Sequence, residues 1–444
     1  MKNFLISILF ATATVPLAGA ADPVPATNSV VISTEFINRL LIEARLNNPS
    51  LKAADHRVRA AALNASAVRT WEDPMAMVGG SLYSDRGFRP SEDGDLAYGV
   101  EQKLPLWGRP KLARRVAESE TFMREAEVNY RFQQLRTDIT KALMVTALAE
   151  RIVDVGAQDL AWLEATAKAT ENKYRAGQSS VADTLQIQNE LAKRNDMLRT
   201  EHQRLGHQYL TLNRLLNRPA GSPWPAFQLP EVAPAIPISE KLLFLARRNE
   251  PKLKVLEQEI KQAEAAAELT LKARRPDVSV GVEARQYSGD GGFRSGMFSL
   301  RFSLPWVNGG KYRKDYERDQ EKQQSAVQER EDQLLGLREQ LHHLAVNIEA
   351  SRREALLNRD EIATRAQQAL TSRLTEWESG RGSFRDVLDA RRMALDSQLM
   401  SARAVAEEHE MLAEMLLWTG LENLESLTRL ANEPSLFPEH DLGK

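Results

Sequence analysis

The stretch "RAGQSSVADTL" at residues 175–185 returns in altered form as "ESGRGSFRDVL" at residues 378–388, 203 positions later. Gly177 then falls on Gly380, and Ser180 falls on Ser383. Glycine just past a helix end accepts the left-handed conformation that closes the helix, and serine is a favoured cap for the next one. An acid three residues after each serine adds the pattern of a capping box. Each copy therefore predicts the tip of a helical hairpin.

The repeat extends along the whole chain. "LIEARLNNPSL" at residues 41–51 returns as "LFLARRNEPKL" at 243–253, and "KLPLWGRPK" at 103–111 returns as "SLPWVNGGK" at 303–311. Landmarks in a fixed order with a nearly constant offset indicate an internal duplication. Between the halves lie six prolines in a stretch of twenty residues, which excludes a regular helix there.

The first twenty residues have the pattern of a secretory signal peptide. Lys2 precedes an apolar run that starts at Phe4, and small residues stand at positions 18–20, where a signal peptidase would cut. The alternative is a buried first helix. After removal of the segment, no later run is apolar and long enough to cross a bilayer as a helix, which takes about 18 residues.

These patterns divide the chain into two repeats with flanking segments. The predicted order within each repeat is helix, two strands, long helix, tip, helix. The predicted segments are a signal peptide at 1–20, an N-terminal extended tail at 21–35, a first repeat at 36–217, a proline-rich linker at 218–237, a second repeat at 238–425 and a C-terminal tail at 426–444. The predicted strands lie at about 75–84, 97–104, 277–287 and 296–304, and the tips at about 175–180 and 378–383.

The long segment before each tip predicts an uninterrupted helix. Residues 111–174 contain no proline and one glycine, so a single helix there would measure about 95 Å. Residues 311–377 likewise contain no proline and one glycine. Apolar residues spaced seven apart in both halves are typical of supercoiled helix packing.

The four predicted strands alternate apolar and polar residues, and each is long enough to cross a bilayer as a tilted strand. In residues 298–304, for example, Phe298, Leu300 and Phe302 alternate with polar side chains. Four strands leave two open edges, which lipid does not tolerate. The strands must either form a sheet in water or combine with those of other copies, and the periodicity alone does not decide between these two arrangements.

Composition and motifs exclude several classes of function. The chain has 59 basic and 61 acidic residues, so it lacks the basic excess of a general nucleic-acid binder. It has no cysteine, which excludes disulfides, thiol catalysis and a lipid-modified N-terminal cysteine. No nucleophile elbow, catalytic triad or phosphate-binding loop is present, and no histidine pair has metal-binding helical spacing. We therefore expect no enzyme activity, no catalytic residue, no cofactor and no metal site.

Taken together, the signal sequence, the duplicated units, the proline-rich linker and the tips "YRAGQSSVADTL" and "WESGRGSFRDVLDA" resemble the TolC family of outer-membrane efflux factors. The resemblance covers nearly the whole mature chain. It implies a mainly α fold with a small β part and a homotrimer. In that trimer, four strands per chain form a twelve-stranded transmembrane β-barrel, which continues into a periplasmic tunnel of helical hairpins. It also implies contact with lipid in the outer membrane of a Gram-negative bacterium, with most of the chain in the periplasm.

The same resemblance implies a passive channel. Cargo would come from an inner-membrane pump of the resistance-nodulation-division (RND) type, through a periplasmic membrane-fusion adaptor. The stretch "GVEQKLPLWGRPKLARR" at residues 99–115 resembles the heavy-metal branch, whose members serve copper and cobalt-zinc-cadmium pumps. Within this architecture, drug efflux and type I secretion of polypeptides are alternatives.

Two other classes of protein share some of these features. A soluble periplasmic adaptor also has a long helical hairpin, but it has one hairpin, flanked by lipoyl-like and barrel domains. A structural coiled-coil protein would leave the four alternating segments without a role.

Three acids near the tips are candidates for a channel gate. Asp386 and Asp389 are three residues apart and share one face of a helix. The resemblance implies that acids at these positions ring the periplasmic mouth, where six carboxylates in a trimer would attract cations. Asp183, the counterpart of Asp386, would help to hold the mouth closed. The alternative is that Asp183 and Asp386 only cap their helices and that Asp389 pairs with a nearby arginine.

The tips themselves are the expected docking surface for the adaptor. Gly177 and Ser180 in the first tip, and Gly380 and Ser383 in the second, would keep each turn narrow enough to enter a groove between adaptor hairpins. The alternative is that these residues only form the turns.

Overall fold

The structure is a computed structural model that describes residues 29–82, 94–177, 180–236, 240–287 and 291–427. Several predicted segments lie wholly or partly outside the described residues. They are the signal peptide at 1–20, most of both tails, much of the loops between paired strands, the end of the linker, and positions 178 and 179 of the first tip.

The fold is mainly helical with a small sheet, as the sequence predicts. The helices of the first half are α1 (Thr34–Asn47), α2 (Pro49–Ala67), α3 (Arg109–Arg175) and α4 (Val181–Leu216). Those of the second half are α5 (Glu240–Asn249), α6 (Pro251–Lys272), α7 (Gly309–Leu356), α8 (Ala363–Glu378) and α9 (Phe384–Thr419). The strands are β1 (Val30–Val31), β2 (Met75–Leu82), β3 (Gly94–Lys103), β4 (Phe227–Gln228), β5 (Val278–Tyr287) and β6 (Phe293–Phe302).

The prediction of one helix before each strand pair is wrong, because two helices stand there in both halves. The breaks fall at Pro49 and Pro251, each at the first position of the second helix. Proline fits that position because its missing N–H needs no partner there. Asn48 accepts hydrogen bonds from Ser50 and Leu51, and so caps α2.

The long helix of the first half is continuous, whereas that of the second half is not. Helix α3 has 67 residues, which corresponds to about 100 Å. Its counterpart is divided into α7 and α8 by a π-helical segment at Leu357–Ile362. The side chain of the buried Asn358 donates to the carbonyl of Glu354 at 3.0 Å beside the widened turn. Among the described helices, none is both long and apolar enough to cross a membrane.

The sheet has one apolar and one polar face. Its strands are antiparallel in the order β2-β3-β5-β6. Val100 lies opposite Val282, and Val282 lies opposite Phe298, so apolar side chains line up across the strands. On the other face, Glu101 accepts a hydrogen bond from Arg301 at 2.5 Å. The apolar face is uncovered in the single chain, where Phe298 is 71% exposed.

The fourth strand begins earlier than the predicted 296–304. Its pairing with β5 continues through an irregularity at Arg285 and Gln286, so that Gln286 lies opposite Phe293. At the other end, a 3₁₀ turn at Pro305–Asn308 follows. Proline removes a backbone donor, which ends the ladder there.

The two halves of the chain pack against each other along one side only. Strand β3 pairs with β5, and helix α3 packs against both α6 and α9. Helix α6 contacts α3 as well as α7, whereas its counterpart α2 packs mainly on α3. Within the described residues, no strand lies beside the outer edge of β2 or of β6. Each half therefore has one side that packs against the other half. The surface that the duplication makes equivalent to the other half's packed side is left open.

The proline-rich linker is held to the helices by side chains. Glu150 of α3 accepts hydrogen bonds from the Phe227 amide at 2.5 Å and from the Tyr209 hydroxyl at 2.7 Å. Arg218 binds Glu43 through two hydrogen bonds of 2.6 Å. β1 and β4 add a short parallel pair between the N-terminal tail and the linker. A segment without regular structure needs such partners because its backbone donors are otherwise unsatisfied.

One of the side chains that bind the linker is the fully buried carboxylate of Glu408. Glu408 of α9 accepts the Ala233 amide at 3.2 Å through Oε2, while its Oε1 has no hydrogen-bond partner within the described residues. Arg352 of α7 donates to the Ala233 carbonyl at 3.1 Å. Burial raises the pKa of Glu408 to about 7, and the Ala233 hydrogen bond and the charge of Arg352 oppose this rise.

Because the folded protein favours the protonated form of Glu408, this residue contributes most to stability at low pH. The contribution is full below the unfolded pKa of 4.5 and is lost as the pH rises towards about 7. We expect the wild type to gain about 3 kcal/mol relative to Glu408→Gln between pH 7.5 and pH 4.5. Melting temperatures of the two detergent-solubilised proteins across this range measure the difference.

Glu407→Gln is the control for this prediction, because Glu407 is the exposed neighbour on the same helix. Its melting curve should follow that of the wild type at every pH. Parallel pH profiles for wild type and Glu408→Gln would contradict a proton-binding role for Glu408.

Candidate functional site

Both tips close their incoming helices through a glycine in the left-handed region. Gly177 has φ of +73° and Gly380 has φ of +74°. The Gly177 amide donates to the Tyr174 carbonyl at 2.9 Å, and the Gly380 amide donates to the Trp377 carbonyl at 3.1 Å. These hydrogen bonds satisfy carbonyls at the helix end, which would otherwise lack a partner.

The outgoing helices are capped differently, although the two motifs match. At the first tip, the Asp183 amide donates to Ser180 Oγ, and the Ser180 amide donates back to the Asp183 carboxylate at 3.2 Å. This is a complete capping box. At the second tip, Ser383 Oγ accepts from the Arg385 amide instead, and the return hydrogen bond is absent. The prediction of a box at both tips is therefore wrong for the second.

This difference leaves the acids of the second tip available. Asp386 and Asp389 lie in the first turns of α9, and both are exposed. Within the described residues, the Asp386 carboxylate has no hydrogen bond and no ion pair. Asp389 pairs with Arg392 at 3.3 Å and lies 4.0 Å from Arg385. At both positions, the carboxylate is in contact with solvent. Asp183 is part of its helix cap, and its gate role is still a prediction.

The four predicted docking residues are all exposed at the end of the molecule. Gly177, Ser180, Gly380 and Ser383 are on the surface of the turns, and added Cβ atoms at the two glycines would meet nothing within 4 Å. On the helix side of the second turn, the rings of Trp377 and Phe384 pack with their centroids 5.3 Å apart. This aromatic pair joins α8 to α9 and makes the second tip a compact unit.

A buried ion cluster that the sequence did not reveal joins the two hairpins above the tips. Asp159 of α3 is only 2% exposed. Its two carboxylate oxygens bind Arg194 of α4 at 2.6 Å and Arg391 of α9 at 3.0 Å. The guanidinium of Arg391 also lies 5.1 Å from the ring centroid of Trp162. One carboxylate therefore connects three helices from both halves of the chain.

Two further polar contacts cross the same boundary. Arg392 of α9 binds Glu190 of α4 at 2.7 Å. Lys173 of α3 lies 3.9 Å from the ring centroid of Trp377 and donates to its carbonyl at 3.3 Å. An apolar cluster between these contacts contains residues from both hairpins, including Leu163, Ile187 and Leu370. The lower ends of the two hairpins of one chain are thus fixed to each other.

In the part of the chain that the structure describes, no group of three or more His, Asp or Glu side chains could hold a metal ion. The chemistry that this end of the molecule offers is an exposed pair of carboxylates on a rigid support.

Comparison with known proteins identifies relatives of this architecture. A sequence model of a family described as outer membrane efflux protein matches residues 40–218 and 242–415. These two segments correspond to the two repeats and leave out most of the linker. No curated protein shows a significant sequence match to the chain.

Solved structures share the fold at low sequence identity. The outer membrane protein VceC of Vibrio cholerae is 19% identical with a TM-score of 0.72, covering 86% of this chain and 96% of VceC. The CmeC outer membrane channel of Campylobacter jejuni is 14% identical with a TM-score of 0.74, covering 96% and 97%. CusC, studied for its transmembrane channel formation, is 16% identical with a TM-score of 0.72, covering 87% and 92%.

The ion cluster predicts a large effect of a small substitution. Asp159→Asn leaves two arginines without their carboxylate, and we expect the contact between hairpins to lose about 3 kcal/mol. Amide protons in the first turns of α9 should then exchange with solvent about a hundredfold faster. Hydrogen exchange of the detergent-solubilised full-length protein, read out by mass spectrometry, measures this change.

The matched control is Asp154→Asn. Asp154 lies on the same helix and pairs with Arg151 at 2.7 Å, but this pair is exposed and local. Exposed pairs contribute little, so exchange in α9 should stay at the wild-type rate. Equal exchange in the two variants would show that Asp159 does not hold the hairpins together.

Proposed function

Because the chain belongs to the outer membrane efflux protein family, we propose that it is one subunit of a trimeric channel in the outer membrane of a Gram-negative bacterium. The channel is passive and catalyses no reaction. Each chain contributes four strands to a twelve-stranded transmembrane barrel and two hairpins to a periplasmic tunnel.

The observation that carries the proposal is the incomplete sheet. The uncovered apolar face suits lipid, while the Glu101–Arg301 face suits water. The backbone groups at an open sheet edge cannot stay unsatisfied in hydrocarbon, so the edges of β2 and β6 must find partners. A second copy of the chain is the partner that has the matching open strand.

The duplication supports closure into a ring. Within one chain, β3 pairs with β5 and α3 packs on α6. The equivalent contacts between neighbouring chains would join β6 to β2 and α7 to α2. Such a head-to-tail interface repeats until the ring closes. The family resemblance sets the number of chains at three.

The tips are the end through which cargo enters. The periplasmic adaptor docks on the turns around Gly177 and Gly380, and the inner-membrane RND pump supplies the energy. Both turns are exposed and stand on fixed hairpins, which supports this role. The stretch at residues 99–115 points to heavy-metal cations as the cargo.

Asp386 and Asp389 form the gate at the periplasmic mouth. Three chains bring six carboxylates to the narrowest part of the tunnel, where their charges attract cations. The absence of a return capping bond supports this role for Asp386, since its carboxylate is not used by the helix. Asp183 stands beside them as part of a helix cap that holds the first tip in shape.

The proposal predicts ion-conducting pores with a cation-sensitive mouth. Wild-type protein in a planar lipid bilayer should form discrete pores that trivalent cations block from the periplasmic side. Asp386→Asn/Asp389→Asn should raise the concentration needed for half block by at least about tenfold, because the carboxylates that bind the cation are gone.

The control is Asp360→Asn, which removes an exposed carboxylate that pairs with the adjacent Arg359. Its block should equal that of the wild type. Pores with unchanged block in the double variant would contradict the gate, whereas the absence of pores in the wild type would contradict the channel.

A further inference from the structure

The exposed tryptophans of this chain are gathered at one level, where the sheet meets the helices. Trp71, Trp107 and Trp306 are 55%, 44% and 63% exposed. They follow α2, β3 and β6. The other four tryptophans, at positions 162, 224, 377 and 418, are buried or half-buried. Tryptophan is enriched where a protein passes from hydrocarbon to water, because its ring is amphipathic.

The same level carries an excess of positive charge. We define the junction as residues 68–74, 103–118, 268–277 and 303–319, which connect the sheet to the helices. It contains thirteen Lys and Arg against eight Asp and Glu, a net charge of +5, in a chain whose net charge is −2. The remainder of the chain is therefore clearly acidic, and the positive charge is localised beside the exposed tryptophans.

Part of the junction surrounds a cavity of about 360 Å³ between the ends of α2 and α6 and the start of α3. Lys103, Arg109 and Trp107 line it. Lys103 binds Glu72 at 2.8 Å, and both Lys103 and Arg109 pair with Asp277. The cations at the base of the cavity are therefore already neutralised and serve to shape it.

Other cations of the junction are not neutralised in this way. Arg69 lines the same cavity, and Lys272 lies in the last turn of α6 beside it. Within the described residues, neither side chain has an ion pair, and both are exposed. The guanidinium of Arg275 lies 5.4 Å from the ring centroid of Trp107. Arg69 and Lys272 are therefore available to bind an anion at the end of the sheet.

We propose that the junction binds the headgroups of anionic phospholipids in the periplasmic leaflet of the outer membrane. This inference rests on the proposed function, because it requires that the sheet stands in a bilayer. The tryptophan rings lie among the headgroups, Arg69 and Lys272 bind lipid phosphates, and the acyl chains run along the apolar sheet face. The charge excess selects lipids with a net negative charge over zwitterionic ones.

The test uses the full-length protein in nanodiscs of phosphatidylethanolamine with one quarter phosphatidylglycerol. Lipids that stay bound after transfer to detergent are counted by native mass spectrometry. We expect phosphatidylglycerol to be enriched over its bulk share in the wild type. In Arg69→Gln/Lys272→Gln the ratio of bound phosphatidylglycerol to bound phosphatidylethanolamine should fall roughly tenfold, because two cations that attract anionic headgroups are gone.

The control is Lys168→Gln/Arg199→Gln, which removes the same charge from exposed positions on α3 and α4, far along the hairpin from the sheet. It should retain the wild-type enrichment. A structural role of Lys272 at the end of α6 would change the melting temperature without changing the choice of headgroup. The ratio of the two lipids therefore separates binding from folding.

Three outcomes decide the matter. Loss of enrichment in the junction variant alone supports the proposal. No enrichment in the wild type, or equal loss in both variants, overturns the proposal of lipid binding. The channel is still supported in that case if the protein forms conducting pores in the same lipids. If no pores form in planar bilayers of this lipid composition, the channel itself is contradicted and this inference falls with it.

Discussion

An open sheet edge in a membrane is the constraint on which this structure depends. A strand at the edge presents backbone N–H and C=O groups that hydrocarbon cannot satisfy. One chain of this protein supplies four strands, and β2 and β6 form the ends of its sheet. In the proposed ring, the duplication supplies the missing partners, because a contact that works between the two halves of one chain would also serve between neighbouring chains.

The contact within a chain is nevertheless stronger than its equivalent between chains would be. Asp159 binds Arg391 across the two hairpins, but the positions that the 203-residue offset assigns to this pair in the other halves are Ile362 and Gln188. A neighbouring chain therefore cannot reproduce the ion cluster. In the proposed ring, the contacts between neighbouring chains near the tips would lack this cluster. The acids Asp386 and Asp389 belong to α9, which stays attached to its own first hairpin.

Local signals in the sequence were sufficient for the turns and strands. The glycines at both tips and the serine caps predict the hairpins because each acts within a few residues. Apolar alternation predicts the strands for the same reason. The helix breaks at Pro49 and Pro251 were missed although the signal is local, since proline fits the start of a helix far better than its interior.

Features that depend on partners far away in the sequence could not be predicted from the sequence. Asp159 resembles any solvated acid on a helix, and only the fold brings two arginines to it. Ser180 and Ser383 stand in the same motif, yet one forms a capping box and the other does not. The π-helical segment at Leu357–Ile362 contains no glycine or proline, so the sequence gives no local sign of a break in the helix.

Disulfide cross-linking tests the central claim most directly, because the chain has no cysteine of its own. The pairing of Gln102 with Val280 has its equivalent between chains at Phe302 and Val78. Phe302→Cys on β6 is therefore combined in turn with Ala76→Cys, Val78→Cys or Gly80→Cys on β2. Inside one chain these strands are separated by about 14 Å, beyond the reach of a disulfide. The account predicts that at least one combination yields covalent species that stop at three chains. If every combination leaves only single chains in the membrane fraction, the edges are not joined and the ring does not exist.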